Sequence, residues 1–170
     1  MSTQRALVLK SKSTPLSLEN VPMPTAGPGS VVVKVLGTYI LSYLSSVLDG
    51  TAPYQMSLPL TPGANSIGRI HAVGPDSTVL ETGQLVFCSY FISARDDPDS
   101  GMLMGMHGAS AMKLMEGEWR NGSFAEYAKF PLENVFALDE DVLCGKMGYS
   151  IADLCALPGT SSCRHRTACH

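Results

Sequence analysis

The sequence predicts a mainly β domain with short helices, built as a barrel from non-local strand pairings. Three observations carry that expectation. Short apolar runs are separated by turn chemistry along most of the chain, and the densest, Val31 to Leu36, is rich in β-branched residues. With 16 glycines and 11 prolines the composition favours a loop-rich β architecture over a helix bundle. A chain of 170 residues forms one domain and buries roughly 70% of its unfolded surface, enough for a core without staples.

In chain order, Arg5–Lys10 and Leu16–Val21 flank a Ser-Lys-Ser-Thr-Pro spacer and read as a hairpin. Pro22–Ser30 lacks amide donors at its prolines and reads as a loop. Val31–Leu36 alternates too little for a half-wet strand, so both of its faces are expected to be covered. Ile40, Leu41, Leu44, Val47 and Leu48 fall on one helical face, predicting a helix over 40–49 that stops at Gly50. Thr51–Gly63 carries three prolines and is expected to run extended.

Ser66–Val73 and Gln84–Phe91 read as strands, with turn chemistry at Gly74–Ser77 between them. Residues 93–123 change from acidic and Gly-rich to Met-rich, with one helical turn predicted around Met112 and Met115. Phe124–Phe130 and Val135–Leu138 complete the strands. Ser150 and Asp153 form a capping box, so a helix is expected to begin there and to last barely two turns before Pro158-Gly159. The tail from Thr160 has no large apolar residue and is expected to be loose.

Composition also excludes partners. A net charge of −3, with no Lys/Arg cluster, leaves no footprint for nucleic acid. Neither a secretory leader nor an apolar run of bilayer length occurs, so a cytoplasmic protein without membrane contact is expected. Five irregularly spaced cysteines suit reduced thiols. Cys163, His165, Cys169 and His170 match no common metal-finger spacing, and Asp96, Asp97 and Asp99 read as an exposed acidic loop. His71 reads as a sheet residue, and His107 has no role legible in the sequence.

Several stretches, in order, carry a resemblance. Glu19–Pro24, Gly27–Val35, Leu58–Gly63 with Gly68–Gly74, and Gly122–Tyr127 resemble the successive motifs of the medium-chain dehydrogenase/reductase family. The resemblance implies a GroES-like, partly open β-barrel over residues 1–157, with no complete Rossmann domain and a non-family tail over 158–170. It also implies a chain cut short before the cofactor-binding half, and the abrupt change of composition after Leu157 suggests a frameshift or unspliced intron.

Zinc-dependent relatives place a Cys and a His where this chain has Leu41 and Ala64, so the resemblance is to the zinc-independent alcohol dehydrogenases and the enoyl and quinone reductases. That comparison implies a small carbonyl or alcohol substrate and a cleft in which Tyr54 donates a proton or hydrogen bond. Asn65 would orient the carbonyl, and Tyr43, Ser42 and Leu41 would line the site. On the alternative reading the two tyrosines only pack their rings at the surface and Asn65 only closes a turn.

The family uses NADP(H) or NAD(H), yet no G-x-G-x-x-G occurs here, so this chain alone is expected to bind neither. The residue pattern looks most like fungal members associated with secondary-metabolite biosynthesis. Two further readings stay open. One is a cofactor-independent isomerase or cyclase reusing the cleft through Tyr54 and Tyr43. The other is a non-catalytic protein whose exposed former domain interface takes a partner or a second copy.

Overall fold

A computed structural model describes residues 2–161. Nine strands and three short α-helices account for most of the regular structure there. Strands β1 (Thr3–Val8) and β2 (Ser17–Pro22) pair antiparallel as the expected hairpin. The central sheet contains β3 (Ser30–Thr38), β4 (Ser66–Val73), β5 (Leu85–Cys88), β8 (Tyr127–Pro131) and β9 (Val135–Ala137), in the order β8-β3-β4-β5-β9. All of its pairings are antiparallel, and it does not close on itself. β6 (Phe91–Ser93) and β7 (Gly101–Leu103) form a second small hairpin.

The barrel-like core lies behind β3, where Val31, Val33, Ile70, Val86, Met102, Met104, Met115 and Phe130 are buried together. Methionine suits this place: an unbranched, polarisable chain fills the irregular space that the 93–123 excursion folds over. The turn around Met112 is present as α2 (Met112–Glu116). Helix α3 (Ile151–Ser161) packs on β3 and β4 through Leu154 and Cys155, joining Ile67 and Leu85.

Four expectations change. β3 is covered on both faces only over Val31–Val33; beyond Lys34, where its pairing with β8 ends, Leu36 is 43% exposed. The helix over 40–49 is only α1 (Leu44–Leu48), because Tyr39 N–H bonds to Asn65 C=O and holds the preceding chain to β4; Ile40 is 69% exposed. The single strand Gln84–Phe91 is two, since Ser89 N–H is taken by Asn134 C=O and Tyr90 N–H by the Asn65 side chain. Helix α3 continues past Pro158-Gly159: the missing proline N–H removes one rung, to Leu154 C=O, and one rung need not end a helix.

Other features match. Gly50 takes φ +84 at the end of α1, as a left-handed stop requires. Ser150 and Asp153 make the reciprocal capping bonds, at 2.9 Å and 3.2 Å. Cys88, Cys144 and Cys155 are free thiols, and Cys163, His165, Cys169 and His170 lie outside the described residues. No helix among the described residues is long and apolar enough to cross a membrane.

Candidate functional site

The segment after β3 delivers the first two phenols. α1 buries Leu44 and Val47 against Met106, which fixes Tyr43 at its N-terminus with 41% of its surface exposed. The chain then turns at Gly50 and runs extended, and Lys12 Nζ donates to Tyr54 C=O at 2.8 Å, pinning the Tyr54 backbone. The Tyr43 and Tyr54 rings stand 6.4 Å apart, centroid to centroid.

The β5–β6 junction and the β6–β7 hairpin bring the rest. Tyr90 is held by its own backbone: its N–H donates to Asn65 Oδ1 at 3.2 Å and its C=O accepts from Met104 N–H at 2.8 Å. His107 lies edge-on to the Tyr54 ring at 4.7 Å. Its Nδ1 accepts from Gln55 N–H at 3.2 Å, so in the neutral ring the proton sits on Nε2.

Burial, and then the neighbouring Tyr43 hydroxyl, hold the Tyr54 phenol above its ordinary range. The same causes push Tyr90 up to about 12, with Tyr54 adding to them. Both groups are therefore O–H donors at neutral pH. An arrangement of three tyrosines and an imidazole N–H beside an apolar patch can hold the oxygen of a small polar ligand while its carbon body rests on Leu41, Leu48 and Phe124, which pack on that patch.

Asn65 sits 6% exposed with its side-chain oxygen committed to Tyr90, so it acts on the tyrosine cluster through the backbone. Its own backbone C=O accepts from Tyr39 N–H and from Thr38 Oγ1. Ser123 Oγ donates to Ala64 C=O at 2.9 Å and accepts from Ala64 N–H at 3.1 Å, closing the adjoining turn. Ser42 is exposed and Leu41 half-buried against the α1 cluster.

Of the residues singled out by sequence, Tyr43 and Tyr54 come together, and Asn65 holds the backbone of Tyr90 rather than either of them. Tyr90, just before β6, and His107, in the turn after β7, are additions that only the fold reveals. His71 is exposed, its ring against Tyr127 at 4.9 Å.

The residues at the metal positions of the zinc relatives offer no donors. Leu41 is hydrocarbon and Ala64 is 2% exposed with both backbone groups bound, so neither fits a metal. Among the described residues no three His, Cys, Asp or Glu side chains converge. Nor does the start of α3 fit a pyrophosphate: the Asp153 carboxylate already takes the Ser150 N–H there and places negative charge at the helix N-terminus.

The architecture is an antiparallel sheet flanked by two hairpins, with a helix across β3 and β4. Residues 27–140 match the alcohol dehydrogenase GroES-like domain, and the chain belongs to that family, within the medium-chain dehydrogenases/reductases. It is 30% identical over 142 residues to an L-threonine 3-dehydrogenase of Symbiobacterium thermophilum, covering 82% of this chain and 40% of that protein. An alcohol dehydrogenase of Moraxella sp. is 30% identical over 138 residues, with 81% and 40% covered. Among solved structures, an alcohol dehydrogenase from E. coli CFT073 complexed with NADH superposes with a TM-score of 0.67 at 22% identity, covering 84% of this chain and 40% of that one. The chain thus spans about 40% of the length of the curated relatives it matches.

Proposed function

We propose that this chain is the substrate-side domain of a zinc-independent alcohol dehydrogenase or reductase, and that its phenol cluster holds the oxygen of a small carbonyl or alcohol. The observation that carries this reading is the pairing of two facts at one site. The metal positions hold Leu41 and Ala64, while Tyr43, Tyr54, Tyr90 and His107 bring phenol and imidazole groups together nearby. In a metal enzyme the cation polarises the carbonyl; here Tyr54 O–H takes that part by hydrogen bonding to the carbonyl oxygen. Tyr43 stands beside it, and Asn65 and Met104 keep Tyr90 in place.

A nicotinamide cofactor supplies hydride chemistry in this family, and the start of α3, where the Asp153 carboxylate already takes the Ser150 N–H, does not fit its pyrophosphate. The hydride donor therefore belongs to a separate nucleotide-binding unit, and this chain alone binds neither NADH nor NADPH. On the same proposal the substrate is a secondary-metabolite carbonyl and the setting is cytoplasmic. Exposed Ile40 and Tyr43, on the segment that carries the site, support a partner or second copy over this face.

Titrating the isotope-labelled chain with cyclohex-2-enone, and separately with NADPH, tests the proposal by NMR. Shifts confined to the Tyr43, Tyr54, Tyr90 and His107 group with the ketone, and none with the dinucleotide, are expected. Ketone-induced shifts elsewhere, or saturable NADPH binding, would contradict it.

A further inference from the structure

Away from the phenol cluster, a cleft of about 510 Å³ opens between the end of the β1–β2 hairpin, the 118–122 turn and β8. None of Tyr43, Tyr54, Tyr90, His107 and Asn65 lines it. Its volume falls within the range of small-molecule sites. Val8, Val21, Pro22, Pro24 and Leu60 give it an apolar wall.

The polar groups on the opposite side are donors whose acceptor halves are already used. Gln4 is only 6% exposed; its Oε1 accepts from Tyr127 N–H at 2.6 Å, which fixes the amide orientation. Its NH₂ group has no acceptor among the described residues, although the residue lines the cleft. Among the described residues only Ser66 Oγ is a buried side-chain polar atom without a partner, so the Gln4 amide N–H meets the open cleft, where a ligand acceptor can take it. Asn121, an exposed residue of the lining, is oriented in the same way: its Oδ1 accepts from Thr61 N–H at 2.9 Å, which leaves its NH₂ open to a ligand.

Arg120 donates from Nη2 to Glu116 C=O at 2.9 Å and has no carboxylate partner among the described residues. Glu118 and Lys129, also in the lining, are ion-paired to each other. Arg120 and Lys129 against Glu118 leave one net positive charge.

We propose that this cleft binds a small monocarboxylic acid with an apolar body, its carboxylate set among Gln4 Nε2, Asn121 Nδ2 and the Arg120 guanidinium. A single excess cation matches a monoanion better than a phosphate dianion, and a carboxylate has lone pairs for each of the three donors that line the cleft. The body of the acid lies along Pro22, Pro24 and Leu60. The site is independent of the reading given to Tyr54.

Titration of the full chain with 4-phenylbutyrate, and with the neutral 4-phenylbutanamide, distinguishes charge recognition from mere apolar filling. The acid is expected to saturate and to shift the side-chain NH₂ signals of Gln4 and Asn121. Arg120→Met is expected to weaken the acid about tenfold, leaving the amide and the melting temperature unchanged. Equal affinity for acid and amide, an unaffected Arg120→Met, or no saturation at millimolar acid would each overturn the proposal. Because Tyr54→Phe is expected to leave acid binding untouched, failure here is separable from failure of the carbonyl site.

Discussion

Asn65 Oδ1 accepts the Tyr90 backbone N–H at 3.2 Å, so one buried amide ties the turn before β4 to the residue that carries the third phenol. Asn65→Ala strands that N–H in a half-buried place. The expected cost is about 1–3 kcal/mol, read from the midpoint of urea unfolding. Tyr90 aromatic signals are expected to broaden in the same variant, and an unchanged midpoint would show that the bond supports nothing.

Gly63 marks the tightest backbone crossing near the site. A Cβ built there stands 2.1 Å from Ser123 N and 2.8 Å from the Gly122 backbone, and neither neighbour is a side-chain end able to swing away. Gly63→Ala is expected to lose at least about 1–3 kcal/mol, or to prevent folding, through overpacking. Gly145→Ala, where a Cβ meets nothing within 4 Å, is the control and is expected to stay within about 0.5 kcal/mol of the parent.

Acid sensitivity has a local source. Arg69 makes two bonds to Glu140, at 2.9 Å and 2.6 Å, tying β4 to the turn that leads to α3. Hydrogen bonding from Arg69 holds the Glu140 carboxyl below its ordinary range, and bonding from Ser150 does the same for Asp153. A folded-state pKa below the unfolded one means that the unfolded chain binds more protons in this window. The contribution is therefore complete above the unfolded carboxylate pKa of about 4 and is lost as pH falls through the folded value. Glu140→Gln is expected to flatten part of the acid limb of melting temperature against pH and to lower the plateau at pH 7. Identical slopes in both proteins would refute this.

Much of the fold was legible because local rules and tertiary structure agree. Ser66–Val73, ended by turn chemistry at Gly74–Ser77, appears residue for residue as β4, and the Ser150–Asp153 box caps α3 as written. Legibility failed where distant groups capture backbone donors. Asn65 and Asn134 take the N–H groups that would have continued β5 through Tyr90, and Asn65 C=O delays α1 by holding Tyr39. Nothing in the spacing of Asp141–Lys146 announced the π-helical turn there. The site was half visible for the same reason: Tyr43 and Tyr54 share one segment, whereas Tyr90 and His107 arrive at the two ends of a hairpin with no sequence signature.

The account rests on Tyr54 O–H as a donor to a bound carbonyl, and the affinity of Tyr54→Phe for cyclohex-2-enone measures that directly. One neutral hydrogen bond is worth about 0.5–1.5 kcal/mol, so the variant is expected to bind roughly 2- to 13-fold more weakly with its melting temperature unchanged. An affinity equal to that of the parent would contradict the account.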